Sequence, residues 1–172
     1  ILRNPLLFPL LLLLWHTGPA TRVALAGPAL PFTGSYAESF NALPASGSVT
    51  LPGTGSAGVQ ADLPGAAGWQ AARVGGTATT DITLATTAGT TGRLYAFGEG
   101  GDRALGSLAS GSTVAAVGVA LLNTSSQTFG RVTLSYAREV WLTQGTSTAN
   151  PFDDRLRCAW GIDSEGSTMD IS

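Results

Sequence analysis

The side chains of this chain that could do chemistry are few, and their types narrow the chemistry sharply. The single His is His16, the single Cys is Cys158, and all nine basic residues are Arg, so there is no Lys. His16 falls in a segment read below as a cleaved leader. The remainder then lacks the base for a Ser-His-Asp or Cys-His nucleophile system. It also lacks the ligands for a His-based zinc site or a thiolate cluster, and the amine for a Schiff base. Cys158 has no second Cys to pair with, and without a nearby base a lone Cys reads as buried or incidental rather than catalytic. What stays open is carboxylate chemistry and hard-cation binding by oxygen ligands.

Three constellations could carry such chemistry. The first is one face of the segment TFGRVTLSYAREVW (128–141), where Arg131, Glu139 and Trp141 share a phase. Side chains two apart on a strand stand about 7 Å from each other. A Trp ring beside a carboxylate and a guanidinium can stack on a sugar and hydrogen-bond its hydroxyls. The plainer reading packs this face on a second sheet, or under a loop, with Glu139 paired to an Arg. The second constellation is a structural calcium, which needs about 6–8 oxygens. Glu38, Asp102, Asp153 and Asp154 are its candidate ligands, and otherwise GEGGD (98–102) is a solvated turn. The third is a glycosidase pair, which needs two acids facing each other at about 5–10 Å. The chain holds 11 acids, but no motif sets two of them across a cleft. Asn123-Thr124-Ser125 has the form of a glycosylation sequon in a turn, a match without expected meaning here.

These residues need elements to position them. Residues 1–26 have the anatomy of a signal peptide: Arg3, a short apolar run through Leu14, then a polar region ending Ala24-Leu25-Ala26. The run falls short of the roughly 20 apolar residues of a spanning helix, the alternative reading. Its removal takes Arg3 and Arg22 and leaves seven Arg against 11 acids, a net charge of −4. That balance offers no footprint for nucleic acid, and the mature chain is expected to carry no membrane span. The chain opens without Met and stops at MDIS without a closing motif, so the natural protein is expected to extend further.

Beyond the leader, residues 27–35 read as an extended lead-in and 36–172 as one domain. With 23 Gly and only 12% charged residues, the composition suits short strands joined by Gly/Ser turns. Strands are predicted at 36–40, near 49–51, at 68–74 with Trp69 and Arg73 on one face, and around Ile82 and Leu84. Further strands follow at 93–97, with Tyr95 and Phe97 on one side, and at 103–108. Residues 41–67 read as a long loop. The strongest alternation lies in 113–123 and 128–141, predicted to form an antiparallel hairpin with Val132, Leu134, Tyr136 and Val140 buried. A last strand is expected at 155–162. Asp102 and Arg103, adjacent on a strand, point to opposite faces and make a poor dyad. Arg103 is expected to pair with an acid on a neighbouring strand, Glu139 being one candidate. About eight short strands and no helical period predict an all-β fold, an antiparallel two-sheet sandwich of jelly-roll type.

The segments YAESFNALPASG, GWQAAR, LYAFG, DRALGSLASGS and YAREVW occur in an order and spacing similar to a large group of exported bacterial proteins. Those proteins carry a concanavalin-A-like β-sandwich, and many end in a PEP-CTERM sorting signal or are fused to lamin-tail or nuclease domains. The resemblance covers most of residues 36–142, and DRALGS is its most specific part. Asn41 stands where the group usually has Asp, Gln70 where it usually has an aromatic residue, and Arg138 and Leu142 depart from the usual Gly and Arg. The resemblance implies fold and a secreted or cell-surface location, and little about activity. The expectation is a non-catalytic secreted module binding polysaccharide or a surface matrix partner. The alternatives are an accessory domain of a larger extracellular enzyme, or a carboxylate hydrolase.

Overall fold

The computed structural model describes residues 28–56 and 58–137. The described residues form an all-β structure without helices. Its nine strands are β1 (Leu30–Phe32), β2 (Ser48–Leu51), β3 (Gln60–Asp62), β4 (Trp69–Gly75), β5 (Ile82–Ala85), β6 (Arg93–Glu99), β7 (Asp102–Leu108), β8 (Val114–Val119) and β9 (Leu121–Asn123). They make a four-stranded sheet in the order β2-β5-β6-β7, a three-stranded sheet β3-β4-β8 and a small pair β1-β9.

One core joins the two larger sheets. Leu51, Ile82, Leu84, Leu94 and Ala96 enter it from one side, and Trp69, Ala71, Ala115, Val117 and Val119 from the other. The alternation of GWQAARV places Trp69, Ala71 and Arg73 on the core face and Gln70 and Ala72 on the opposite face. Both faces of β4 are nonetheless buried.

Most pairings are antiparallel, but β1-β9 and β5-β6 run parallel, which corrects the all-antiparallel expectation. The predicted strand 113–123 is divided at Ala120. Up to Val119 it pairs with β4, and from Leu121 it pairs with β1. The carbonyl of Ala120 accepts the N–H of Leu30 at 2.8 Å, which fixes the switch of partner.

Residues 98–102 form the tight turn between β6 and β7, with Glu99 opposite Asp102. Gly98 (φ 133°) and Gly100 (φ 60°) take positive φ, and a Cβ at Gly98 would collide with the Asp102 carbonyl. A glycine at the first loop position with positive φ is the chemistry of a two-residue hairpin turn.

Three further expectations are corrected. Residues 36–40 are not a strand, because Phe40 adopts φ 60° and breaks the extended path. The long loop expected at 41–67 holds, besides the strand expected near 49–51 (β2), a second strand, β3. Residues 128–137 contain no strand, and Val132, Leu134 and Tyr136 are exposed at 46%, 39% and 54% instead of buried. Among the described residues nothing pairs this segment into a hairpin with 114–123, so its alternation is not converted into a buried face. The predicted leader (1–26), Val140 and the strand at 155–162 lie outside the described residues. No helix among the described residues is long and apolar enough to cross a membrane.

Candidate functional site

The segment 36–47 ties the two sheets together, and the motif residues converge on it. Trp69 of β4, 3% exposed, packs edge-on against Phe40 at a centroid distance of 4.8 Å. Its Nε1 donates to the Tyr36 hydroxyl at 2.7 Å, and that hydroxyl donates onward to Glu38 Oε2 at 3.5 Å. Glu38 Oε1 accepts the Phe40 N–H at 2.8 Å. A bulky residue at φ near +60° is an outlier that its surroundings must hold in place. Here the Glu38 carboxylate and the Trp69 ring hold Phe40. On the other sheet, Asn41 Oδ1 accepts the Arg103 N–H at 2.8 Å.

Burial raises the pKa of the Tyr36 hydroxyl; the Trp69 N–H opposes the shift and the Glu38 charge adds to it. The folded value therefore lies above the ordinary 10.0. The neutral phenol is favoured by the fold, so this contribution is intact below pH 10 and is lost as pH rises through the folded pKa. A Tyr36→Phe variant is expected to lose less stability between pH 9 and pH 11.5 than the native chain, read as the drop in Tm over that range. Equal drops in both proteins would show that Tyr36 is not the alkaline-sensitive group.

Two buried arginines hold loops to strands. Arg73, 2% exposed, donates from Nε to Thr54 O (3.2 Å) and from Nη1 to Ser112 O (3.0 Å) and Thr113 Oγ1 (2.5 Å). Its Nη2 donates to Thr80 O (2.5 Å). One guanidinium thus binds the turns 52–56, 77–81 and 110–113 to β4. Desolvation lowers its pKa and the charge of Asp81 partly restores it. Asp81 in turn accepts the Gly55 N–H at 2.8 Å. Arg103, 8% exposed, donates to Ala96 O (3.4 Å) and Ala45 O (3.3 Å). Backbone carbonyls occupy the place expected for an acid partner, because β7 sits at a sheet edge against the 41–47 segment.

The predicted site residues are only partly within view. Arg131 is exposed and lies outside any strand, while Glu139, Trp141, Asp153 and Asp154 lie outside the described residues. Of the calcium candidates, Glu38 is engaged with Phe40 and Tyr36, and Asp102 is an exposed residue opening β7. Among the described residues no group of three or more His, Cys, Asp or Glu could hold a metal ion. Asn123 of the sequon is 5% exposed; its amide donates to Gln127 O at 2.9 Å and its Oδ1 accepts the Ser125 N–H at 3.0 Å. It serves as a turn residue, with its amide nitrogen turned inward.

One polar residue that the sequence did not single out as a site is Gln70. It is 6% exposed, and its Nε2 donates to Asp62 Oδ1 at 3.2 Å. Its buried Oε1 has no hydrogen-bond partner among the described residues. The carboxylate accepts and does not donate, which fixes the amide with its nitrogen toward Asp62. An acceptor left dry costs about 1–3 kcal/mol. The register places Asp62 and Gly118 beside Gln70, and Ala72 and Ala116 one step along, on the face turned from the core. The sequence signal was the break in apolar composition at the off-core phase of GWQAARV.

No family model, no curated protein and no solved structure matches this chain.

Proposed function

We propose that this chain is a non-catalytic, secreted β-sandwich module of jelly-roll type that binds polysaccharide at a cell surface or in an extracellular matrix. The observation that supports this reading is where the reactive-looking side chains go. Arg73, Arg103, Trp69 and Asn41 spend their hydrogen bonds on carbonyls, backbone N–H groups and one another, fixing loops to two sheets over one core. Groups so committed build a rigid scaffold and leave recognition to the surface. The Arg131, Glu139 and Trp141 set remains part of the proposal.

The test is affinity electrophoresis in gels containing dextran, laminarin, xylan or alginate. Retardation by at least one polysaccharide, weakened in Trp141→Ala, is the expected result. No retardation by any of the four overturns the polysaccharide reading. Retardation unchanged in Trp141→Ala removes that residue from the site.

A second reading, an accessory domain within a larger extracellular protein, is favoured by the exposed apolar side chains Val132, Leu134 and Tyr136 in one short segment.

A further inference from the structure

Resting on the polysaccharide reading, we propose that Arg93, on the outer face of the β2-β5-β6-β7 sheet, is a carboxylate site and that the polysaccharide is a polyuronate. Leu94 and Ala96 enter the core, so period-2 alternation turns Arg93, Tyr95 and Phe97 to the outer face. Pairing with β7 sets Leu108 opposite Arg93, Gly106 opposite Tyr95 and Ala104 opposite Phe97. This strip reaches solvent: Arg93, Phe97, Ala104, Gly106 and Leu108 are all partly exposed. Tyr95 alone of the six is buried. Its hydroxyl donates to Thr91 O at 2.7 Å and its ring stacks on Phe97 at a centroid distance of 5.0 Å.

Arg93 is the one cation of the strip. Its Nε is buried and has no hydrogen-bond partner among the described residues. A buried donor left unpaired costs about 1–3 kcal/mol, and more on a charged group. Arg73 and Arg103 meet that demand with carbonyls, and Arg93 Nε does not. Nearby acids do not answer it either. Asp81, just before the neighbouring β5, accepts the Gly55 N–H at 2.8 Å. Glu99 and Asp102 close the far end of the hairpin, about 20 Å along β6. A guanidinium fork matches the two oxygens of a carboxylate, and a uronate carries that group on a sugar ring. Leu108, Ala104 and the Phe97 ring, which leans over Gly106 where a Cβ would collide with it, give the C–H face of the sugar an apolar floor.

The experiment is isothermal titration of the whole chain with polygalacturonate, its methyl ester, alginate and dextran, at low and high salt. The variants are Arg93→Gln, Arg93→Lys and the control Ser107→Ala, Ser107 being exposed on the opposite face of β7. The expected result is tighter binding of the two polyuronates than of the ester or dextran, weakening with salt. Arg93→Gln should lower polyuronate affinity about tenfold through lost charge-assisted hydrogen bonds. Arg93→Lys should fall between that variant and the native chain, and Ser107→Ala should change nothing. If Arg93→Gln does not fold, Arg93→Lys, which keeps the charge and loses the fork, decides alone, and native affinity in it overturns the site. Polyuronate binding that Arg93→Gln leaves unaltered overturns this site and leaves the polysaccharide reading standing. Dextran or the ester binding as tightly as the polyuronates overturns the carboxylate specificity. Binding of none of the four overturns both readings.

Discussion

Arg73→Met is expected to destabilise the fold by about 3–5 kcal/mol. Four acceptors on three separate turns depend on one guanidinium. Hydrogen bonds to a charged group contribute about 1.5–3 kcal/mol each, so their gross sum exceeds the expected loss. The difference is the cost of keeping the cation out of water, which the methionine removes. Against a total stability of about 5–15 kcal/mol, this loss is a large share. Arg73→Lys is expected to recover little, because a point ammonium cannot reach acceptors spread around a planar fork. Urea unfolding checks both: the midpoint should fall with little change in slope. A methionine variant within about 1 kcal/mol of the native chain would mean that the three turns are held by other contacts.

Trp69→Ala is expected to cost a similar amount, about 3–5 kcal/mol, for a different reason. It empties a site 3% exposed in the shared core, removes the edge-on partner of Phe40 and takes away the donor to the Tyr36 hydroxyl. Trp69→Phe separates these contributions. It keeps most of the apolar volume and loses only the N–H donor, so its cost should be near 1 kcal/mol. A double-mutant cycle of Trp69→Phe with Tyr36→Phe should show coupling, since both single changes break the same 2.7 Å bond. Strict additivity in thermal unfolding would show that this bond contributes nothing to stability.

These two residues also show how far the sequence could be read. The phase of Trp69 and Arg73 was legible, because period-2 alternation on a strand sends them to one face whatever the partner. The strands at 82–85, 93–99 and 102–108 were legible for the same reason, as was the separation of exposed Asp102 from buried Arg103. The destination of each guanidinium was not. Its acceptors are backbone carbonyls and, for Arg73, the Thr113 hydroxyl, 7 to 58 residues away, beginning at Thr80 for Arg73 and reaching Ala45 for Arg103. Every residue carries a carbonyl, so composition gives no hint of which ones are chosen. Phe40 misled for a related reason: YAESF has strand-forming residues, but Trp69 and Glu38 hold Phe40 in a conformation that ends any strand.

From the sequence alone came the all-β class, the phase of the central strands, the glycine turn at 98–101 and the short inventory of catalytic side chains. All of these rest on local periodicity or on residue type. The tertiary structure alone decided the change of sheet at Ala120, the parallel pairings, the carbonyl partners of Arg73 and Arg103, and the dry acceptor of Gln70. Each of those depends on which distant backbone lies alongside, and a period-2 pattern specifies a face without specifying the neighbour that covers it.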